Sequence, residues 1–226
     1  MGDPLHIDII TIFPPMVQGF LDESIMKRAS QQAAVAFRVI NLRDFTNDRH
    51  QTVDDRPYGG GPGMILKAEP LFKAVESART PGARVILMSP QGRPFCQARA
   101  AELAREQHLI FLCGHYEGVD ERVSLGLATD EISIGDYILT NGTLAATVVI
   151  DAVVRLLPNV LGAEDATVNE SFNDNRLEYP QYTRPEIFRD LRVPDILLTG
   201  DHASIARWRE EQSNQRTAAR RPDILT

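Results

Sequence analysis

Residues 84–114 read RVILMSPQGRPFCQARAAELAREQHLIFLCG. Two apolar, β-branched runs, RVILMS (84–89) and LIFLCG (109–114), enclose a helical pattern, CQARAAELAREQ. Short continuous apolar runs read as strands buried on both faces. Two such strands joined by a helix return in parallel, so the stretch predicts a βαβ unit.

The same pattern continues in both directions, at IDIITIF (7–13), AFRVINL (36–42) and EISIGDYIL (131–139), with PLFKAVESAR as another intervening helix. The expected class is α/β with a parallel sheet. TLAATVVIDAVVRLL (143–157) is a long helix stopped by Pro158 and apolar over more of its circumference than one sheet face requires. A second subunit is the expected cover. NVLGAEDATVNESFNDNRLEYPQYTRPE is polar and rich in turn formers, as linkers are. The remainder predicts a small helical domain, with Asp201 as N-cap and Pro222 as stop. The expected division is 1–160, a linker over 161–178, and 179–226.

At 226 residues, 43% apolar and 24% charged, the chain has ordinary globular composition and room for one sizeable α/β domain plus an appendage. It has no apolar run of about 18 residues, and its start has neither a basic region nor a long apolar one, which predicts a cytoplasmic protein with no membrane association. Cys96 and Cys113 are the two cysteines and form no C-x-x-C, so neither a zinc site nor a disulfide framework is indicated. A net charge of −7 argues against unspecific coating of nucleic acid. Yet all nine basic residues after position 175 are arginines, the residue suited to bidentate phosphate contact. Composition alone favours a solvated helix in which Arg207, Arg209, Arg216, Arg220 and Arg221 pair with Glu210 and Glu211.

RPYGGGPGM (56–64) holds four glycines and two prolines. Position 64 is Met64 where a Walker loop needs glycine, and Leu66 stands where a dinucleotide fingerprint needs its third glycine. A ligand-facing loop and a plain surface turn both remain open. Three further glycine-containing segments end strands: SPQGRP (89–94), CGHYEGVDER (113–122) and SIGDYILTNG (133–142). Ligands in open parallel sheets bind beyond the carboxyl ends of the strands, so the three together indicate one cofactor pocket.

RDFTNDRHQTVDDRPYGGGPGM, SPQGR, CGHYEGVDERV, SIGDYIL, RLLPNVLG and YTRPE, in this order across almost the whole chain, resemble the bacterial tRNA (guanine-N1)-methyltransferase family, TrmD. The resemblance implies a SPOUT-type trefoil knot, S-adenosylmethionine as methyl donor, dependence on Mg²⁺ at a site not placed by the sequence, and methylation of N1 of guanosine 37 beside the tRNA anticodon. It also implies a homodimer with active sites between subunits. By the same resemblance Pro90, Gln91, Gly114, Tyr116, Glu117, Ile134, Gly135, Asp136, Tyr137, Ile138 and Leu139 bind the cofactor, with Glu117 on a ribose hydroxyl, and the YGGGPGM loop lies beside the active site.

Arg155 matches the family's catalytic arginine. Glu170, in NESF, matches its general base, where the family usually has Asp, and Asp174 is the competing carboxylate. Asn141 and Ala145 stand where the family has Gly and Pro, with Asn141 expected to tolerate a left-handed backbone. His115 stands where some members carry Arg. Two other readings were weighed, a SPOUT methyltransferase acting on another RNA position and a catalytically silent RNA-binding relative. A silent relative should lose the carboxylate, Arg155 or SIGDY, and a different target should remove YGGGPGM and YTRPE, whereas all are present.

Overall fold

Side chains alternate between two cores across a single parallel sheet. Ile86 and Met88 belong to one apolar cluster, Val85 and Leu87 to the other, and Leu109 and Phe111 alternate with Ile110 and Leu112 in the same way. Period-two alternation with both faces apolar requires helices on both sides. In this computed structural model, which describes residues 3–162, 167 and 170–225, they are present.

The chain runs β1 (Leu5–Thr11), α1 (Pro14–Leu21), α2 (Ser24–Gln31) and β2 (Val35–Asn41). A two-residue antiparallel pair follows, β3 (Asp54–Asp55) with β4 (Ile65–Leu66), enclosing the glycine-rich stretch. Next come α3 (Ala68–Ala78), β5 (Arg84–Pro94), α4 (Gln97–Leu103), β6 (His108–Cys113), α5 (Glu121–Gly126), β7 (Asp130–Ser133) and α6 (Gly142–Val154). The sheet order is β2-β1-β6-β5-β7, with all pairings parallel. The parallel α/β arrangement expected from the sequence is therefore present. Helices α1, α2, α4 and α6 cover one face, with Val17, Met26, Leu103 and Val149 fully or almost fully buried there; Leu71, Val75 and Val123 of α3 and α5 cover the other.

Two strands differ from expectation. β5 continues past Ser89 to Pro94 through a register shift that sets both Met88 and Arg93 opposite Ile132. β7 stops at Ser133, although the apolar run continues to Leu139. Gly135 has φ of 150°, outside the strand region, and Ser133 Oγ accepts from its amide at 3.2 Å, turning the chain away. Tyr137 and Ile138 are then exposed and not buried in a strand.

The chain divides into two compact units, Met1–Glu164 and Asp165–Thr226. The second contains β8 (Ile187–Phe188) paired antiparallel with β9 (Leu191–Arg192), and α7 (His202–Arg220). The Asp201 side chain caps α7 by accepting from the amides of Ala203 and Ser204 at 3.1 and 3.2 Å. Part of the segment expected as linker is tied to this helix. The Leu177 amide donates to Thr217 Oγ1 at 2.9 Å, and Ser213 Oγ donates to the Leu177 carbonyl at 2.6 Å. Residues 163–166, 168 and 169 of that segment lie outside the described residues. Among the described residues, no helix is long and apolar enough to cross a membrane.

Candidate functional site

The register shift of β5, the carboxyl ends of β6 and β7 and the start of α6 enclose a cavity of about 390 Å³. Met88, Ser89 and Pro90 close one side, the loop from Gly114 to Gly118 a second, and Ile132 to Gly135 with Tyr137 to Leu139 a third; Gly142 and Ala145 complete it. Its position beyond the strand ends of a parallel sheet is where such folds place ligands, and its size lies within the range of small-molecule sites.

Of the residues assigned to the cofactor from sequence, Pro90, Gly114, Tyr116, Glu117, Ile134, Gly135, Tyr137, Ile138 and Leu139 line this cavity. Gln91 and Asp136 do not. The Gln91 amide instead donates to Ser89 Oγ at 3.1 Å, inside β5 where its register shifts.

At three glycines another group approaches closely. The Gly142 amide donates to the Gly114 carbonyl at 2.8 Å, and a Cβ at Gly142 would lie 2.9 Å from the Gly114 nitrogen. A Cβ at Gly92 would lie 2.6 Å from the carbonyl carbon of Ile132, so β5 passes β7 too tightly for a side chain. Gly63 lies against Glu117, with a hypothetical Cβ 2.5 Å from Oε1. Sequence reasoning singled out none of these three contacts; the signal available was that Gly92 and Gly142 fall in strand-end segments and Gly63 in the glycine-rich stretch.

Asn141 has φ of −160°, so its tolerance of a left-handed backbone is not called upon. Its side chain instead accepts from the Thr143 amide at 2.9 Å and caps α6. His115 lines the cavity, packed edge-on to Phe13 and Tyr116, and its Nδ1 is buried without a hydrogen-bond partner among the described residues. Beneath it Cys113 is fully buried among apolar groups, which pushes its thiol up to about 12 despite a hydrogen bond with Thr143, so this sulfur stays a neutral thiol at physiological pH.

Arg155 is the C-cap residue of α6, its amide donating to the Asp151 carbonyl at 3.2 Å. Glu170 and Asp174 lie in the second unit, where both line a cavity of about 340 Å³ with Asn173, Arg176, Tyr179 and Arg209. There the Arg209 guanidinium stacks 4.7 Å over the Tyr179 ring. The pairs expected on α7 give way to others. Glu210 faces Arg176 at 3.8 Å, Glu211 accepts from Gln215 at 3.1 Å, and Arg221 pairs with Asp223 at 2.7 Å. Among the described residues, no group of three or more His, Cys, Asp or Glu side chains is arranged to hold a metal ion.

A family model described as tRNA (Guanine-1)-methyltransferase TrmD matches residues 5–226. A protein of Geobacillus kaustophilus named tRNA (guanine-N(1)-)-methyltransferase is 58% identical over 223 residues, covering 98% of this chain and 91% of that protein. Proteins of the same name from Moorella thermoacetica and Dehalococcoides mccartyi are 57% and 56% identical, each covering 98% of this chain and 90% of the relative. The motifs on the strand ends, the cavity they line and these full-length matches agree, and the chain belongs to the tRNA (Guanine-1)-methyltransferase TrmD family.

Proposed function

We propose that this chain transfers the methyl group of S-adenosylmethionine to N1 of guanosine 37 in tRNA. The family supplies the reaction class. The observation that carries the cofactor reading is the strand-end cavity, where apolar walls from Ile134 to Leu139 face the Glu117 carboxylate and glycine backbone. An adenosyl group needs this combination of flat apolar cover, backbone hydrogen-bonding groups and an acceptor for ribose hydroxyls.

S-adenosylmethionine supplies a methyl group already activated on a sulfonium centre. The backbone of Ile134, Gly135, Asp136, Tyr137, Ile138 and Leu139 reads the adenine edge and Glu117 accepts from a ribose hydroxyl. Pro90, Gly114 and Tyr116 complete the enclosure, while Gln91 and Asp136 join the set by family resemblance and not by lining the cavity. Guanine N1 carries a proton at neutral pH and is a poor nucleophile. Glu170 takes that proton as general base, and the Arg155 guanidinium stabilises the negative charge that grows toward O6. Glu170 and Asp174 share one cavity, so the assignment to Glu170 rests on its place in NESF. For the Mg²⁺ that the resemblance implies, the described residues offer no cluster of three or more His, Cys, Asp or Glu side chains.

The reading extends to architecture. The chain past β7 threads as the SPOUT-type trefoil knot, a reading supported by the tight passages at Gly92 and Gly142. It works as a homodimer in the cytoplasm with active sites between subunits; Leu144 and Val148, one turn apart on α6 and about half exposed, support a partner there. Residues 179–226 bind the tRNA through the arginines of α7, and 161–178 join the two domains.

Calorimetry on the full-length protein with S-adenosylmethionine, without RNA, tests the cofactor site. Stoichiometric binding is expected, and no binding overturns the assignment.

A further inference from the structure

The glycine-rich stretch is attached to the loop that carries Glu117. The Glu117 amide donates to the Met64 carbonyl at 3.0 Å, the Leu66 amide to the Gly118 carbonyl at 3.0 Å, and the Asp120 amide to the Leu66 carbonyl at 2.9 Å. Leu66 also bridges to Val119 in parallel register. These bonds bring one glycine of the stretch against one side chain of the cavity. Gly63, at φ of 80°, has Oε1 and Cδ of Glu117 at 2.5 and 2.8 Å from where a Cβ would stand. Its neighbours do not share this constraint. Gly59, Gly60 and Gly61 have φ of 85°, 79° and 124°, with nothing within 4 Å of a hypothetical Cβ.

We propose that Gly63 is a positioning residue for the methyl-donor site: its missing side chain leaves the space in which the Glu117 carboxylate sits, and the backbone bonds at Met64 and Leu66 hold that space in register. Three glycines of the stretch serve the turn, and the fourth serves the carboxylate. The inference rests on the proposed role of Glu117 in binding S-adenosylmethionine, and it makes the loop part of the cofactor site and not only a neighbour of the active site.

A double-mutant cycle tests it, read by calorimetry with S-adenosylhomocysteine on the full-length protein. Gly63→Ala is expected to weaken binding by about tenfold to a hundredfold, the range for losing a hydrogen bond to a charged group. Gly60→Ala imposes a comparable backbone strain without touching Glu117 and is expected to weaken binding less. In the Glu117→Ala background, Gly63→Ala should cost no more than Gly60→Ala does, because the side chain it displaces is absent and only the backbone strain remains. If Gly63→Ala weakens binding equally in both backgrounds, or matches Gly60→Ala, the positioning role is overturned while the cofactor site stands. If Glu117→Ala binds like wild type, the role of Glu117 fails and this inference fails with it. Should Gly63→Ala alone fail to fold, the double variant decides. Folding restored by Glu117→Ala supports the clash, and folding still lost overturns it.

Discussion

Gly142 and Gly114 meet backbone to backbone, the Gly142 amide donating to the Gly114 carbonyl at 2.8 Å. This bond joins the first residue of α6 to the residue after β6, and both residues line the strand-end cavity. Gly142 is absent from the residues at positive φ, so its requirement is space and not conformation. Cys113 Cα at 3.1 Å and Met88 Cβ at 3.2 Å from a hypothetical Cβ leave little room to yield.

Gly142→Ala should therefore destabilise the protein by about 1–3 kcal/mol through overpacking and weaken cofactor binding in the same variant. Thermal melts and calorimetry check the two effects together. A variant that melts and binds like wild type would show that the contact relaxes freely.

At the amino ends of β5 and β7, Arg84 clamps Asp130 at 2.8 and 2.7 Å. Burial raises the Asp130 carboxyl, but hydrogen bonds from Arg84 and Thr129 and the charges of Arg84 and Arg99 outweigh it and hold the group below its usual value. A carboxyl depressed in the fold contributes stability that is present above the unfolded value of about 3.9 and is lost as pH falls through the lower folded value. Asp130→Asn should lower the melting temperature at neutral pH and flatten its decline in acid. Melting profiles with parallel slopes for both proteins would contradict this linkage.

Arg207 and Arg220 are exposed on α7. Replacing both with Gln should weaken tRNA binding and reduce the slope of log affinity against log salt by about one to two, with cofactor affinity unchanged. Binding measured across a salt series gives the slope, and an unchanged value would return these residues to a solvated helix face.

Much of the first unit was legible because burial on both faces leaves unbroken β-branched runs, as in Ile7 to Thr11 and Val85 to Met88. Pattern could not distinguish a buried strand from an apolar ligand wall, which is why Ile134 to Leu139 read as strand although Gly135 turns the chain there. Two-residue strands such as Ile187–Phe188 are too short to show periodicity. Close approaches are invisible for another reason. Gly63 and Gly60 look alike in sequence, and only the fold shows that one meets Glu117 and the other meets nothing. Asn141 shows the opposite case, since a residue judged by its tolerance of positive φ serves through its side chain as a helix cap.

The proposed role of general base separates Glu170 from Asp174. Glu170→Gln nearly preserves shape and removes the proton acceptor, so methyl transfer in single turnover should slow by about 10²–10⁴-fold with cofactor affinity intact. Part of that loss should return at high pH as guanine N1 itself deprotonates. Asp174→Asn should do little. A dead Asp174→Asn beside an unaffected Glu170→Gln would move the base four residues along the chain.

The central claim is methyl transfer to N1 of guanosine 37. It is tested most directly by incubating the full-length protein with labelled S-adenosylmethionine and tRNA transcripts that differ only in carrying G or A at position 37, then digesting the RNA and identifying the labelled nucleoside. Label is expected in 1-methylguanosine from the G37 transcript and none from the A37 transcript. Label at another nucleoside, or equal labelling of both transcripts, would contradict it.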